Sequence, residues 1–145
     1  MRHIVFRAKS VDNGEWVYGS YCRRETTDYN PDYPAQWTVD HYIMRDHYDE
    51  YGWPLGIEWI KVDPETVGEF TGCSDKNSVN IYEGDIVRKR TYLGMRPMKV
   101  VFSDGCFHCG WGGGSSTAEH PYLLDSNVTV LGNIHDNPEL FEENK

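Results

Sequence analysis

The sequence has no run of apolar residues near the roughly 18 that a membrane-crossing helix needs. Its first ten residues, MRHIVFRAKS, interrupt the only apolar stretch there with charges, so a signal peptide is not expected. Cysteine is sparse, with 4 in 145 residues. Without a secretion signal, such thiols are expected to stay reduced in a cytosol. Basic residues are outnumbered: 14 Lys and Arg stand against 23 Asp and Glu, a net charge of −9. No internal repeat is present.

Aromatic residues, by contrast, are plentiful. Five Trp, 10 Tyr and 5 Phe make up 14% of the chain, which excludes a disordered acidic tail. Such tails cannot bury enough apolar area to offset chain entropy. The length suits one domain, or two small lobes sharing a core.

The pattern along the chain is that of short strands. Ile4, Phe6 and Ala8 alternate with His3, Val5 and Arg7, and Asp12-Asn13-Gly14 supplies a tight turn before Glu15 to Tyr21 returns as the partner strand. Residues 24–56, crowded with Tyr, Asp, His and Pro, read as an irregular aromatic excursion in which only Trp37 to Met44 looks like a strand. Ile57 to Val62 is a further strand. Asp63-Pro64 then marks a single helical turn, the carboxylate capping orphan N–H groups and Pro fitting the first helical position. A loop at 74–78 leads into Ile81 to Val87, and the strands Ile86 to Tyr92, Met98 to Phe102, Cys106 to Trp111 and Val128 to Ile134 follow at the spacing of a small β-barrel, with Asn137 capping a short C-terminal helix.

The expected fold class is therefore mainly β (α+β at most). An N-terminal β lobe spans 1–72 and a small barrel with its helix spans 73–145. Trp16, Phe70, Ile81, Ile86, Val100, Phe102, Val130, Leu131 and Ile134 are the expected core.

Four segments carry a family resemblance: FRAKSVDNGEWVYG (6–19), VDPETVGEFTGCSDKNSVNIYEGDIV (62–87), VVFSDGCF (100–107) and VLGNIHDNPELFEEN (130–144). Together they resemble the YopX family of small proteins encoded by phages and prophages. The resemblance implies a mostly-β fold with an SH3-like barrel and a location in the host cell cytoplasm. It supplies no catalytic or binding residues. Segments 24–56 and 108–127 lie outside it, so a function particular to this chain is expected there.

Three candidate sites stand out. Cys106 and Cys109 are spaced to share one tetrahedral edge of a zinc ion if a tight turn joins them, with His120 and Cys73 as further ligands and His108 toward the ion or away from it. No second CxxC accompanies them, so two ordinary strand cysteines are the simpler reading and no cofactor is expected. A redox role is weaker still, because the motif ends a strand instead of opening a helix.

Between Ile86 and Phe102 there is no acid, while Arg88, Lys89, Arg90, Arg96 and Lys99 are all basic and Tyr92 sits among them. Such a hairpin can track phosphates and stack a base. It can equally be a solvated hairpin whose charges pair with acidic neighbours. The net charge of −9 opposes nucleic acid at long range.

The acidic excess suggests a basic protein as partner instead. Asp28, Asp32, Asp40, Asp46, Asp49 and Glu50 lie in or near the aromatic excursion, and Tyr and Trp are frequent interface anchors. A polar loop kept soluble by its charges is the plainer alternative.

Catalysis finds no support. Glu83/Asp85 and Asp63/Glu65 lack a tuned acid–base partner, the Gly112–Thr117 loop lacks a P-loop lysine, and His41 and His47 are too far apart in sequence for a helical metal pair. Asp85 after Gly84 reads instead as the anchor of a turn entering a barrel strand. The expectation is a non-enzymatic accessory protein that binds a host or phage protein, with nucleic-acid binding second and a small structural zinc protein third. Exposed strand edges add the expectation of a homo-oligomer, without a membrane role.

Overall fold

The computed structural model describes residues 1–91, 94–110, 122–123 and 127–142. The chain is mostly β and divides into two compact units, one from Ile4 to Val67 and one comprising Met1–His3 with Gly68–Lys145. The sequence pattern had set the boundary a few residues later, at 72/73.

The first unit is an antiparallel meander of β1 (Phe6–Lys9), β2 (Trp16–Asp28), β3 (Gln36–Tyr48) and β4 (Pro54–Lys61), in the order β4-β3-β2-β1. The expected first hairpin forms: Ala8 pairs with Val17, and the chain reverses through Gly14, whose φ of +70° suits a residue without a side chain. Ala8, Val17, Ile43 and Val62 are buried together, with Phe6, Tyr21, Ile60 and Val67 packed around them. A 3-10 turn at Pro64–Thr66 follows, capped by Asp63 Oδ1 accepting from Glu65 N at 3.0 Å.

The excursion at 24–56 is not irregular. β2 runs on to Asp28, β3 reaches Tyr48 and β4 starts at Pro54. Beyond the core these strands meet water on both faces, so no apolar alternation marks them. Cross-strand polar pairs hold them instead, such as Thr26 with Thr38 at 2.7 Å and Arg45 with Glu58 at 2.9 Å.

In the second unit β5 (Gly68–Ser74) pairs with β6 (Asn80–Tyr82). A curled five-stranded sheet follows in the order β10-β9-β8-β7-β11: β7 (Asp85–Thr91), β8 (Gly94–Ser103), β9 (Cys106–Gly110), β10 (Tyr122–Leu123) and β11 (Thr129–Asn133). Helix α1 (Glu139–Glu142) lies against β8. Ile81, Val87, Met98, Val100, Cys109 and Val128 form the core, with Cys73 and Val130 against it.

Between β6 and β7 the chain turns at Glu83-Gly84. Gly84 takes a φ of +85°, and buried Asp85 anchors the turn by accepting from Tyr82 N at 2.8 Å. Asp75 performs a similar task, its Oδ1 accepting from Asn77 N (2.7 Å) and Val79 N (2.9 Å) and its Oδ2 from Val130 N (3.0 Å). That carboxylate ties the β5–β6 turn to β11.

Among the expected core residues, Ile81, Ile86 and Val100 are fully buried, while Trp16, Phe70, Val130, Leu131 and Ile134 are half-buried. Phe102 is a correction. It shares the face of Val100 but lies beyond the core, 48% exposed, with its ring 4.9 Å from that of Phe107.

Candidate functional site

The meander presents two unlike faces, because side chains alternate along each strand. One face holds Ile43, flanked by Tyr21 and Ile60, and is buried. On the other, Ser20, Met44 and Trp59 stand in one cross-strand row and Cys22, Tyr42 and Lys61 in the next, with Asp46 opposite Ile57. Trp59 meets Tyr42 edge-on, ring centres 5.7 Å apart. Tyr18 and Tyr48 belong to this face by their strand positions, and Ile57 is 62% and Trp59 49% exposed.

The β3–β4 turn extends the aromatic surface. Asp49 Oδ1 accepts from Tyr51 N at 2.9 Å and Trp53 N at 2.8 Å, fixing a tip on which both aromatic side chains are exposed. Acids border it: Asp46 and Glu50 are exposed, whereas the exposed Asp28 and Asp32 lie at the β2–β3 turn, at the other end of β3. Asp40 is engaged by Lys61 at 2.6 Å; the hydrogen bond from the ammonium holds the Asp40 carboxyl below its usual range and raises Lys61 above its own. An acidic border around an apolar, aromatic centre suits a partner with a basic rim.

The basic residues at 86–102 occupy the β7–β8 hairpin, where Arg88 pairs with Pro97, Lys89 with Arg96 and Ile86 with Lys99. Alternation divides the charges between faces: Arg88, Arg90 and Lys99 on one, Lys89 and Arg96 on the other. Arg88 and Arg90 are exposed. Tyr92 lies outside the described residues.

The described zinc candidates, Cys73, Cys106 and Cys109, do not gather as a ligand set. Cys106 is exposed at the start of β9 and Cys109 buried near its end, and a separation of three along a strand turns their thiols to opposite faces instead of along one tetrahedral edge. Cys73 packs against the core that contains Cys109. His108 is buried and pairs through Nε2 with Ser103 Oγ at 3.1 Å. His120 and the Gly112–Thr117 loop lie outside the described residues, and among those described no three His, Cys, Asp or Glu side chains gather as a metal would require.

Of the carboxylate pairs, Asp63 caps its turn and Asp85 anchors another. Glu83 is half-buried; burial raises its carboxyl above the usual Glu range, against the hydrogen bond from Phe102 N and the charge of Lys99.

A family model described as YopX protein matches residues 5–142. The chain belongs to the YopX family. No curated protein matches it. Among solved structures, the crystal structure of protein EF1440 from Enterococcus faecalis is similar at 22% identity, covering 97% of this chain and 99% of that one with a TM-score of 0.48.

Within this YopX protein the surface that sequence reasoning missed includes the exposed apolar pair Ile57 and Trp59 on one face of β4. Their alternation with Glu58 is present, but the aromatic crowding before it masks where the strand begins. Among the described residues no helix is long and apolar enough to cross a membrane.

Proposed function

We propose that this YopX-family protein is a non-enzymatic, phage-encoded accessory protein that works in the host cell cytoplasm by binding another protein, of host or phage origin. The observation that carries the reading is the open face of the meander, where Tyr18, Tyr48, Ile57 and Trp59 are exposed on one side of the sheet beside the exposed acids Asp46 and Glu50. Isolated exposed apolar residues are ordinary, whereas a grouped set rimmed by charge is characteristic of interaction surfaces. Trp and Tyr supply large contact area at small entropic cost, and the acids select a basic partner.

The test is retention of tagged protein's partners from host lysate, with and without nuclease. The reading expects a protein near equal stoichiometry that nuclease does not release. An eluate dominated by nuclease-sensitive DNA or RNA would refute it.

A second reading, nucleic-acid binding through the β7–β8 hairpin, draws on the exposure of Arg88 and Arg90. The alternation of the cations between two faces weakens it, because one phosphate track then meets three charges instead of five.

A further inference from the structure

Strand β4 has β3 on one side and, among the described residues, no strand on the other. Its main-chain phase follows from one contact: Val62 N donates to His41 O at 2.9 Å, so Val62 lies in a hydrogen-bonded pair. Such pairs alternate along antiparallel strands. Ile60 and Glu58 therefore turn their main chain toward β3, and Lys61, Trp59 and Ile57 turn theirs away.

Both ends of this outer edge are closed. The outward carbonyl of Lys61 accepts from Val11 N at 3.1 Å, and Pro54 has no N–H at a point where the β3–β4 register shifts. Between them, among the described residues, the edge is open. The devices that usually blunt an edge, Lys and Pro, stand only at its ends. Its one charge, Glu58, points to the other face and is held by Arg45 at 2.9 Å.

Four antiparallel registers bring a second β4 alongside with its side chains on matching faces. Centring on Trp59 sets Ile57 against Lys61, whose carbonyl is occupied. Centring on Glu58 opposes two carboxylates in a non-bonded pair, the closer kind, with Cα atoms about 4.5 Å apart. Centring on Gly56 drives Trp59 toward the turn in which Trp53 O already accepts from Asp49 N. Centring on Ile57 confines these conflicts to the end pair, Lys61 opposite Trp53, and leaves Ile57 and Trp59 clear of them. Ile57 then faces its own copy, and Glu58 lies across from Gly56, which has no side chain to oppose it.

We propose that two copies of the chain pair antiparallel along β4 with Ile57 at the twofold axis. The interface is isologous, main-chain hydrogen bonds supplying affinity and the Ile57 and Trp59 side chains supplying register. A twofold axis normal to the sheet keeps both open aromatic faces on the same side, joining two meanders into one continuous surface. The pairing stands independently of the partner protein proposed above.

Sedimentation velocity of the full chain over a wide concentration range tests it. The wild type is expected to pass from 16.8 kDa to twice that mass as concentration rises. Ile57→Lys and Ile57→Glu each set like charges against one another and should weaken the dimer about tenfold or more. An equimolar mixture of the two should restore it, which misfolded variants would not do. A wild type that stays monomeric at the highest concentration overturns the proposal. So does a dimer indifferent to Ile57→Lys, or a mixture of the folded variants that fails to associate.

Discussion

Asp75 offers a quantitative test of how the second unit is closed. Its buried carboxylate accepts from three backbone N–H groups, two in its own turn and the third at Val130 on β11. Burial opposes the charge, but the N–H groups of Val79, Val130 and Asn77 together outweigh it and hold the carboxyl below its usual value of 3.8. Asp75→Asn keeps the shape but turns an NH2 toward one of those donors. A hydrogen bond to a charged acceptor contributes about 1.5–3 kcal/mol and an orphaned buried N–H costs about 1 kcal/mol more, so the variant should lose about 2.5–4 kcal/mol at neutral pH. Because the folded-state pKa is depressed, this stability is present above the unfolded-state value and is lost as pH falls through the folded-state value. The gap between wild type and variant should therefore be full at pH 7 and shrink once the pH falls below the usual carboxyl value of 3.8. Urea unfolding, with amide exchange of β11 as the local reporter, measures it. A variant as stable as wild type at pH 7, or a gap that does not change with pH, would refute the reasoning.

Glu83 should behave with the opposite sign: its raised pKa means that stability is lost as pH rises through the folded-state value, so Glu83→Gln should stabilise at pH 7 and have no effect in acid, read by the same denaturation series. Ile43→Ala should cost about 2–5 kcal/mol, whereas Ile57→Ala, at a position that is 62% exposed, should change monomer stability by about 0.5 kcal/mol or less in thermal unfolding. Gly19→Ala should disrupt β2–β3, because its Cβ would come within 2.2 Å of the Met44 carbonyl oxygen; loss of amide protection around Met44 is the readout. If the β7–β8 hairpin does bind single strands through Arg88, Arg90 and Lys99, log K against log salt should slope at about −2, and Arg88→Ala with Arg90→Ala should flatten it in a fluorescence titration.

What the sequence reveals and what it hides divide along local and non-local physics. The first hairpin, the Asp63-Pro64 turn and the role of Asp85 were legible because adjacent residues settle them. The outer halves of β2 and β3 were not, because a strand wetted on both faces carries no buried period and its cohesion lies in pairs such as Arg45 with Glu58, 13 residues apart. Phe102 misled for a related reason: its alternation matches Val100, but only tertiary packing decides where the core stops. At the candidate sites composition was a fair guide and geometry was not. The basic cluster could be read directly, yet its division between two faces needed the β7–β8 register. The spacing of Cys106 and Cys109 suggests a shared ion only if a turn joins them, and a strand joins them instead. The open face of the meander gathers Tyr18, Tyr48 and Trp59 from three strands, an arrangement that appears only once all three are aligned.

The most direct test of the proposed function compares two variants of equal fold, verified by circular dichroism, for what they retain from host lysate. One carries Tyr18→Ser, Tyr48→Ser and Trp59→Ser on the meander face; the other carries Arg88→Ala, Lys89→Ala and Arg90→Ala on the hairpin. The account predicts that the first loses the wild-type protein partner by tenfold or more, about 1.4 kcal/mol at the least, while the second keeps it. Retention by the face variant together with loss by the hairpin variant would contradict it.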